Sequence, residues 1–331
     1  MQRFASSLAV VAILSAVVAV SLIGGPAVSP VSAKPGDVAA SPPANLQIKV
    51  EDRNPWTNLE LNNKSENFQF VIVSDRTGGH RPGVFAKAVE KINLLQPEFV
   101  ISVGDLIEGY SEDNTQWALE WAEFQGRVNK LQMPFFYVPG NHDLANPKMD
   151  ANWKRKFGRG YYEFVYHSTL FVGLNTEDPP TSEKEVPFKF SVEQQRWLED
   201  VLAKNANVRW TFFFMHKPAW TYPDDDHNKT GWGRIEQIMG NRNYTVFAGH
   251  KHNYARFVRN GRDYIMLATT GGSSKLRGVS DGEFDHVTWI TMKDTPVIAN
   301  LMLDGIADKD IRTLPEPKPS IKKAITKAVS K

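Results

Sequence analysis

Hydrophobic and polar positions alternate in blocks along the central part of the chain. An apolar run at residues 68–74 predicts a buried strand, apolar residues at helical spacing over 82–95 predict a helix, and a second apolar run at 99–103 predicts another strand. A strand, a helix and a strand within this length are typical of a parallel βαβ unit.

The pattern continues toward the C-terminus with strands that are more antiparallel. A helix is predicted over 114–131, and Ser191-Val-Glu-Gln194 is a capping box that begins a helix ending at Lys204. Further strands are predicted at 135–138, 161–166, 169–174, 209–215, 244–248, 254–258, 264–267, 287–292 and 296–303. Together these elements predict a layered α/β fold.

The amino-acid composition limits the kinds of partner, catalytic group and metal ligand that this chain can use. The chain has 331 residues, 41% of them hydrophobic, and its net charge of +2 gives no reason to expect a nucleic-acid partner. It contains no cysteine, which excludes thiolate catalysis, disulfides and metal sites built on sulfur. Any metal site must therefore use oxygen and imidazole ligands.

The two ends of the chain differ from its centre. Residues 1–33 combine a basic start, an apolar run and a small-residue site ending at Ala33, which predicts a cleaved signal peptide and a secreted or periplasmic protein. The alternative is an uncleaved membrane anchor, but the 16 apolar and small residues of 8–23 are fewer than the roughly 20 that span a bilayer. A disordered linker is predicted at 34–46, and a basic flexible tail at 314–331. Membrane contact is expected only through an uncleaved signal or this tail.

Polar side chains follow several predicted strands at the points where the strands end. Singly, each has a structural explanation, since an aspartate can cap a turn and a histidine can lie satisfied in a core. Because the carboxyl ends of strands are where open α/β sheets place their sites, we expect these side chains to converge. The set supplies two carboxylates, one amide oxygen and three imidazoles, namely Asp75, Asp105, Asn141, His216, His250 and His252.

This set of ligands suits two divalent cations. Two such ions about 3.5–4 Å apart repel each other and need a bridging anion, which one aspartate can supply while imidazoles and an amide complete the shells. We therefore expect two metal ions, with manganese, zinc, iron and magnesium as candidates.

The motifs also resemble those of a known family. Gly104-Asp105, Gly140-Asn-His-Asp143, His216 and Gly249-His-Lys-His252 are similar, in order and context, to the signature of the calcineurin-like metallophosphoesterases. The resemblance covers residues 68–303 and assigns 47–313 to one domain of that family. It implies a four-layered fold, a central β-sandwich flanked by helices, and hydrolysis of phosphoric esters by metal-activated hydroxide.

Specific roles follow from the same resemblance. Asp105 would bridge the two metals, and His142 would be a general acid that protonates the leaving oxygen, with Asp143 behind it as an orienting group. The resemblance assigns Asn141, His216 and His250 to the second metal and Asp75 and His252 to the first.

One position departs from the family pattern. The usual Asp-x-His is here Asp75-Arg-Thr77, and a threonine hydroxyl is a poor substitute for an imidazole ligand. In the purple acid phosphatase branch a tyrosine three residues after the bridging aspartate binds the first metal, and that position here is Glu108, a candidate metal ligand. Other candidates are Tyr110, His80, and Asp225 with His227. The opposing interpretation is that Glu108 only caps the helix near Asn114 and the first metal is weak or absent.

The substrate and the activity leave alternatives open. Arg76 can reach a substrate phosphate with its guanidinium or can serve only in a salt bridge. The expected substrate is a small-molecule or lipid-derived phosphate ester, either a monoester or a diester. The second hypothesis is a non-catalytic metal- or phosphate-binding protein on the same scaffold, although the presence of His142, which has no ligand role, favours the hydrolase.

Overall fold

The computed structural model describes residues 65–180, 186–222 and 229–306. The predicted signal peptide, linker and basic tail lie outside these ranges, as do Asp225 and His227. Within them, no helix is both long and apolar enough to cross a membrane.

The described residues form strands and helices in an order close to the predicted one. The strands are β1 (Phe68–Val73), β2 (Phe99–Ser102), β3 (Phe135–Phe136), β4 (Tyr162–Tyr166), β5 (Thr169–Gly173), β6 (Trp210–Phe214), β7 (Tyr244–Ala248), β8 (Ala255–Arg259), β9 (Arg262–Met266), β10 (His286–Met292) and β11 (Pro296–Met302). The helices are α1 (Val84–Leu95), α2 (Asn114–Val128), α3 (Pro147–Phe157), α4 (Val192–Lys204) and α5 (Trp232–Met239).

The strands belong to two sheets. One has the order β11-β10-β1-β2-β3 and the other β4-β5-β6-β7-β9-β8. The pairs β1–β2, β2–β3, β5–β6, β6–β7 and β7–β9 are parallel, whereas the strands that border them in each sheet pair antiparallel. The predicted increase in antiparallel pairing toward the C-terminus is therefore seen in β8–β9 and β10–β11, whereas the pairs β5–β6, β6–β7 and β7–β9 are parallel.

Alternating side chains on β1 show how the layers pack. Phe70 and Ile72 belong to the core between the two sheets, whereas Val71 and Val73 pack with α1, α2 and α3 on the outer face of the first sheet. A third core joins the outer face of the second sheet to α4 and α5. The architecture is therefore helices, sheet, sheet and helices, which confirms the predicted fold class, an α/β fold with a central β-sandwich flanked by helices.

Two helices were not among the predicted elements. Asn146 begins α3 by accepting hydrogen bonds from the N–H groups of Lys148 and Met149, and Pro147 occupies the first turn. The short α5 is preceded by Gly231, whose backbone adopts the left-handed conformation. The capping box before α4 is half formed, because Ser191 accepts from the N–H of Gln194 while the Gln194 side chain hydrogen-bonds to Asn175.

The loops that carry the polar side chains are tied together across the sandwich. They follow β1 and β2, which are neighbours in the first sheet, and β6 and β7, which are neighbours in the second. The N–H of His250 donates to Asp75 Oδ1 at 2.8 Å, and Nδ1 of His216 lies 2.9 Å from the carbonyl oxygen of Val103. These hydrogen bonds hold both sheets' loops at one edge.

Candidate metal centre

Asp105, His216 and His250 form the first group of side chains that could hold a metal ion. Their donor atoms all lie within 4.8 Å of one another. The Nε2 atom of His216 lies 3.1 Å from Asp105 Oδ2 and 3.2 Å from Nδ1 of His250. This spacing of an oxygen and two imidazole nitrogens suits a borderline divalent cation.

Asp75, Asp105 and His252 form the second group. The Nε2 atom of His252 lies 3.4 Å from Asp75 Oδ1. Asp105 belongs to both groups, so its carboxylate occupies the position that a bridging ligand requires. The structure therefore brings together five of the side chains that the sequence indicated as ligands.

Backbone carbonyls orient two of the imidazoles. Nδ1 of His216 faces the Val103 carbonyl at 2.9 Å, and Nδ1 of His252 faces the Ser273 carbonyl at 2.7 Å. A carbonyl can only accept, so Nδ1 carries the proton in each ring and Nε2 faces the carboxylates. This is the tautomer that a metal ligand needs.

Asn141 supplies an independent indication of a cation. Its Oδ1 atom is buried without a hydrogen-bond partner, whereas its Nδ2 donates to the Tyr110 hydroxyl at 2.8 Å. An orphaned buried acceptor is costly unless something positive faces it. The residues present thus fit metal ions, with Asn141 Oδ1 as a further ligand atom.

Charge interactions dominate the ionisation of the two central residues. Burial alone would raise the pKa of Asp105, but the charge and hydrogen bond of His216 hold that pKa well below its ordinary value. Burial opposes the charge on His216, yet the attraction of Asp105 raises the pKa of His216 to about 9. Without metal, Asp105 therefore favours a proton on His216, and a bound cation must displace that proton.

The other ligand residues respond to the same charges. Burial would raise the pKa of Asp75, but the hydrogen bond from His252 and the charge of His216 hold that pKa below its ordinary value. Burial and the positive charge of His216 lower the pKa of His250 to about 2, so its imidazole is neutral and ready to ligate.

Backbone conformation helps to crowd these side chains into one place. Asp105, His250 and His252 have φ values of 57°, 73° and 51°, which is strained for residues with a Cβ and is typical of functional sites. A Cβ on Gly140 would lie 2.2 Å from Asp105 Oδ1, and one on Gly249 would lie 2.2 Å from Asp75 Oδ2. Only glycine therefore allows the backbone so close to the two carboxylates.

His142 lies beside both groups and belongs to neither. Its Nδ1 atom is 2.6 Å from the Glu108 carbonyl oxygen, its Nε2 atom is 4.0 Å from Asp105 Oδ2, and its ring edge contacts Tyr110. The ring lines an open cavity of about 630 Å³ in front of the ligand groups.

Asp143 has no hydrogen bond or ion pair with the His142 ring, and the orienting role that the family resemblance implies for it stays a prediction. Its carboxylate accepts hydrogen bonds from the N–H groups of Leu106, Ile107 and Gly140 at 2.8–3.2 Å. Burial and the neighbouring charge of Asp105 raise the pKa of Asp143 to about 7, against the effect of those donors. Asp143 thus fixes the loops after β2 and β3, and the Glu108 carbonyl orients the ring.

Glu108 lies outside both ligand groups. Its carboxylate accepts from the N–H of His80 at 2.6 Å and approaches the N–H of Gly79 at 3.5 Å. Burial would raise the pKa of Glu108, but these contacts and the nearby Thr77 side chain together hold that pKa below its ordinary value. In this conformation the carboxylate stabilises the turn after Thr77, and its Oε2 atom lies 4.0 Å from Nδ1 of His142. His80 belongs to neither group, and the Tyr110 hydroxyl accepts a hydrogen bond from Nδ2 of Asn141 at 2.8 Å.

Arg76 is engaged away from the ligand groups. Its guanidinium is ion-paired with Glu123, donates to the Leu106 carbonyl at 2.9 Å and lies 5.5 Å from the centre of the Phe124 ring. Its side chain is 5% exposed and lines a separate cavity of about 420 Å³ next to α1 and α2. The geometry therefore matches the salt-bridge interpretation, with a buried guanidinium paired to an exposed carboxylate.

Some residues that shape the cavity were not identified in the sequence. Ser273, Ser274 and Lys275 line it from the segment after β9, and Lys251 lines it between two ligand histidines. The signal available was the stretch Gly271-Gly-Ser-Ser-Lys275, which follows a predicted strand just as the recognised motifs do.

Comparisons with known proteins agree with this geometry. The Calcineurin-like phosphoesterase family matches residues 68–254. Serine/threonine-protein phosphatase CPPED1 of Bos taurus is 28% identical over 202 residues, covering 56% of this chain and 63% of the bovine protein. A probable glycerophosphodiester phosphodiesterase, GpdQ of Arcobacter nitrofigilis, is 26% identical over 201 residues, 56% of this chain and 67% of that protein. The chain therefore spans less than two thirds of the bovine relative.

A solved structure shows the same fold. The crystal structure of a dimetal phosphatase from Danio rerio has a TM-score of 0.53, is 15% identical in sequence, and is matched over 71% of this chain and 96% of the zebrafish chain.

Proposed function

Because this chain belongs to the Calcineurin-like phosphoesterase family, we propose that it is an exported metal-dependent hydrolase that cleaves phosphoric esters. The observation that carries this proposal is the position of His142, which lines the cavity beside both ligand groups without belonging to either. A protein that only binds metal has no need for this histidine, whereas hydrolysis needs a proton donor for the leaving oxygen.

The ligand residues account for the metal dependence. Asp105 would be shared by two ions, Asp75 and His252 would complete one site, and the remaining ligands of the other are Asn141, His216 and His250. When bound, two divalent ions polarise phosphoryl oxygens and lower the pKa of water toward neutrality.

His142 is proposed as the general acid. The Glu108 carbonyl at 2.6 Å accepts the proton on Nδ1, so the second proton of an imidazolium resides on Nε2, which points toward Asp105 and the cavity. A leaving alkoxide in that cavity would take the proton from Nε2.

The substrate proposed is a small-molecule or lipid-derived phosphate ester. CPPED1 is named as a phosphatase and GpdQ as a probable glycerophosphodiester phosphodiesterase. A two-metal site can serve the hydrolysis of both monoesters and diesters. The assay therefore includes both a phosphate monoester and a phosphate diester.

The experiment combines metal analysis with turnover. The mature protein is reconstituted with manganese, zinc, iron or magnesium, and hydrolysis of p-nitrophenyl phosphate and of bis(p-nitrophenyl) phosphate is followed. We expect two ions per chain and turnover of at least one ester. Two bound ions without turnover under any metal would favour the non-catalytic binding protein.

Export is proposed from residues 1–33 and is tested separately. In the native host, fractionation and mass spectrometry should find the protein outside the cytoplasm with Lys34 as its first residue. An intact N-terminus in the cytoplasmic fraction would contradict this proposal.

A further inference from the structure

The cavity in front of the ligand groups has one basic wall. Lys251, between His250 and His252, and Lys275, after β9, both line it, together with Ser273 and Ser274. Both lysines are exposed, and neither belongs to a group that could hold a metal. Their ammonium groups are therefore available to a molecule in the cavity.

The acidic residue on this wall, Glu283, has an ion-pair partner in Arg277, which also pairs with Asp281 at 3.5 Å. Glu283 is paired with Arg277, whose Nε lies 2.9 Å and whose Nη2 lies 2.5 Å from its two oxygens. Lys275 acts on Glu283 only through its charge, without an ion pair. Across residues 65–180, 186–222 and 229–306, no ion pair involves Lys251 or Lys275.

An aromatic ring restrains the Lys251 side chain without neutralising its positive charge. Its Nζ lies 5.1 Å from the centre of the Tyr222 ring, a cation–π contact that restrains the side chain and leaves the charge intact. Among the residues that the structure describes, neither lysine of this wall has an ion-pair partner. Both lie beside the position proposed for the scissile phosphate, whose own charge bound metal ions would offset.

We propose that Lys251 and Lys275 bind a second anionic group on the substrate, so that this site prefers phosphate esters whose leaving group carries a carboxylate or another phosphate. This inference rests on the proposed function, since it takes the metal centre as the site of the scissile phosphate. Charges at exposed positions give modest selectivity, and we expect about tenfold from the two lysines together. Salt should weaken that selectivity because the Debye length falls to about 3 Å at 1 M.

Non-hydrolysable phosphonates separate binding from turnover. Isothermal titration of the metal-loaded protein would compare 3-phosphonopropionate, propylphosphonate and 3-aminopropylphosphonate, which share a phosphonate and differ in the charge at the far end. We expect the carboxylate to bind about tenfold tighter than the alkyl compound, and the amine to bind more weakly than either. At 1 M salt the ratio of the first two dissociation constants should approach 1.

Lysine substitutions test whether Lys251 and Lys275 cause the preference for a second anionic group. Lys251→Met with Lys275→Met should reduce the ratio of dissociation constants to less than about twofold, whereas Lys204→Met, in α4 and outside the cavity lining, should keep the wild-type ratio. Equal binding of all three phosphonates, tighter binding of the amine, or an unchanged ratio in the double variant would overturn the inference.

The two proposals fail in different ways. Turnover of the nitrophenyl esters without charge selectivity would leave the hydrolase standing and overturn the basic wall. Selective binding of 3-phosphonopropionate without any turnover would support the wall and contradict the hydrolase.

Discussion

Nδ1 of His142 lies 2.6 Å from the carbonyl oxygen of Glu108. The same glutamate accepts the N–H of His80 with its carboxylate, so one residue orients the ring through its backbone and the turn after Thr77 through its side chain. A substitution of the Glu108 side chain therefore keeps the carbonyl that positions His142, which allows the two roles to be tested separately.

Replacing His142 with asparagine should abolish most turnover while preserving the metals. The ring belongs to neither ligand group, so metal content measured by mass spectrometry should stay at the wild-type value. For alkyl phosphate esters, whose leaving group needs a proton, kcat should fall by about 10²–10⁴-fold. Nitrophenyl esters should lose less, because their leaving group departs without protonation.

The exposed His167, between β4 and β5, provides the control. His167→Asn should leave kcat unchanged for both kinds of ester. Alkyl-ester turnover at the wild-type rate in His142→Asn would remove His142 from the mechanism.

Replacing Glu108 with glutamine should leave both metals bound. Its carboxylate is outside the two ligand groups and accepts backbone N–H groups, and a glutamine oxygen can accept the same bonds. Titration with a metal-sensitive dye should give a wild-type dissociation constant. A loss of one metal per chain would instead identify Glu108 as the replacement for the missing first-motif histidine.

Much of the fold was predictable because its strands carry strong local signals. Residues 68–74 and 244–248 are apolar on both faces, and in the structure both strands lie inside the sandwich and its helical cover. By contrast, α3 has alternating lysines and few apolar residues, and its indication was the cap formed by Asn146 and Pro147. The low apolar content of α3 conceals a helix that tertiary packing of Met149 and Trp153 stabilises.

The ligand motifs were predictable because each occupies a strand end, but the contacts between motifs were not. The spacing from Asp105 suggested a metal role for Glu108, yet the backbone brings Glu108 against His142 and His80, 34 and 28 residues away. Arg76 meets Glu123 across 47 residues of chain. Such pairings depend on loop conformation, including the positive φ of Asp105, which no sequence period encodes.

Replacing Gly140 with alanine should weaken metal binding. The new Cβ would lie 2.2 Å from Asp105 Oδ1 and 2.4 Å from the Asp105 backbone nitrogen, so the bridging carboxylate must move. Displaced ligand support typically costs about 10- to 100-fold in metal affinity. Competition with a chelator of known affinity measures this change.

Gly126, inside α2, is the matched control because a Cβ there meets nothing within 4 Å. Gly126→Ala should stabilise the protein by about 0.5–1 kcal/mol through helix propensity and leave metal affinity unchanged. Wild-type metal affinity in Gly140→Ala would show that the loop after β3 relaxes without moving Asp105.

His286 should make the stability of the protein fall in acid. Its ring is buried on β10 with Nε2 lacking a hydrogen-bond partner, and burial, opposed only by the contact with Asn300, lowers the pKa of His286 to about 4. The folded protein therefore resists a proton that the unfolded chain accepts below pH ~6.5. The stabilisation from neutral His286 is complete above that pH and is lost as the pH falls toward 4, by at most about 3 kcal/mol.

The measurement compares urea unfolding of wild type and His286→Phe at pH values from 7.5 to about 4, with a chelator present so that the metal ligands titrate alike in both. The difference in unfolding free energy between the two proteins should shift in favour of the variant by about 1.4 kcal/mol per pH unit once the pH is below ~6.5. His167→Phe, which replaces an exposed histidine in the same way, is measured in parallel as the control. A pH-independent difference for His286→Phe would mean that His286 accepts its proton in the folded protein without penalty.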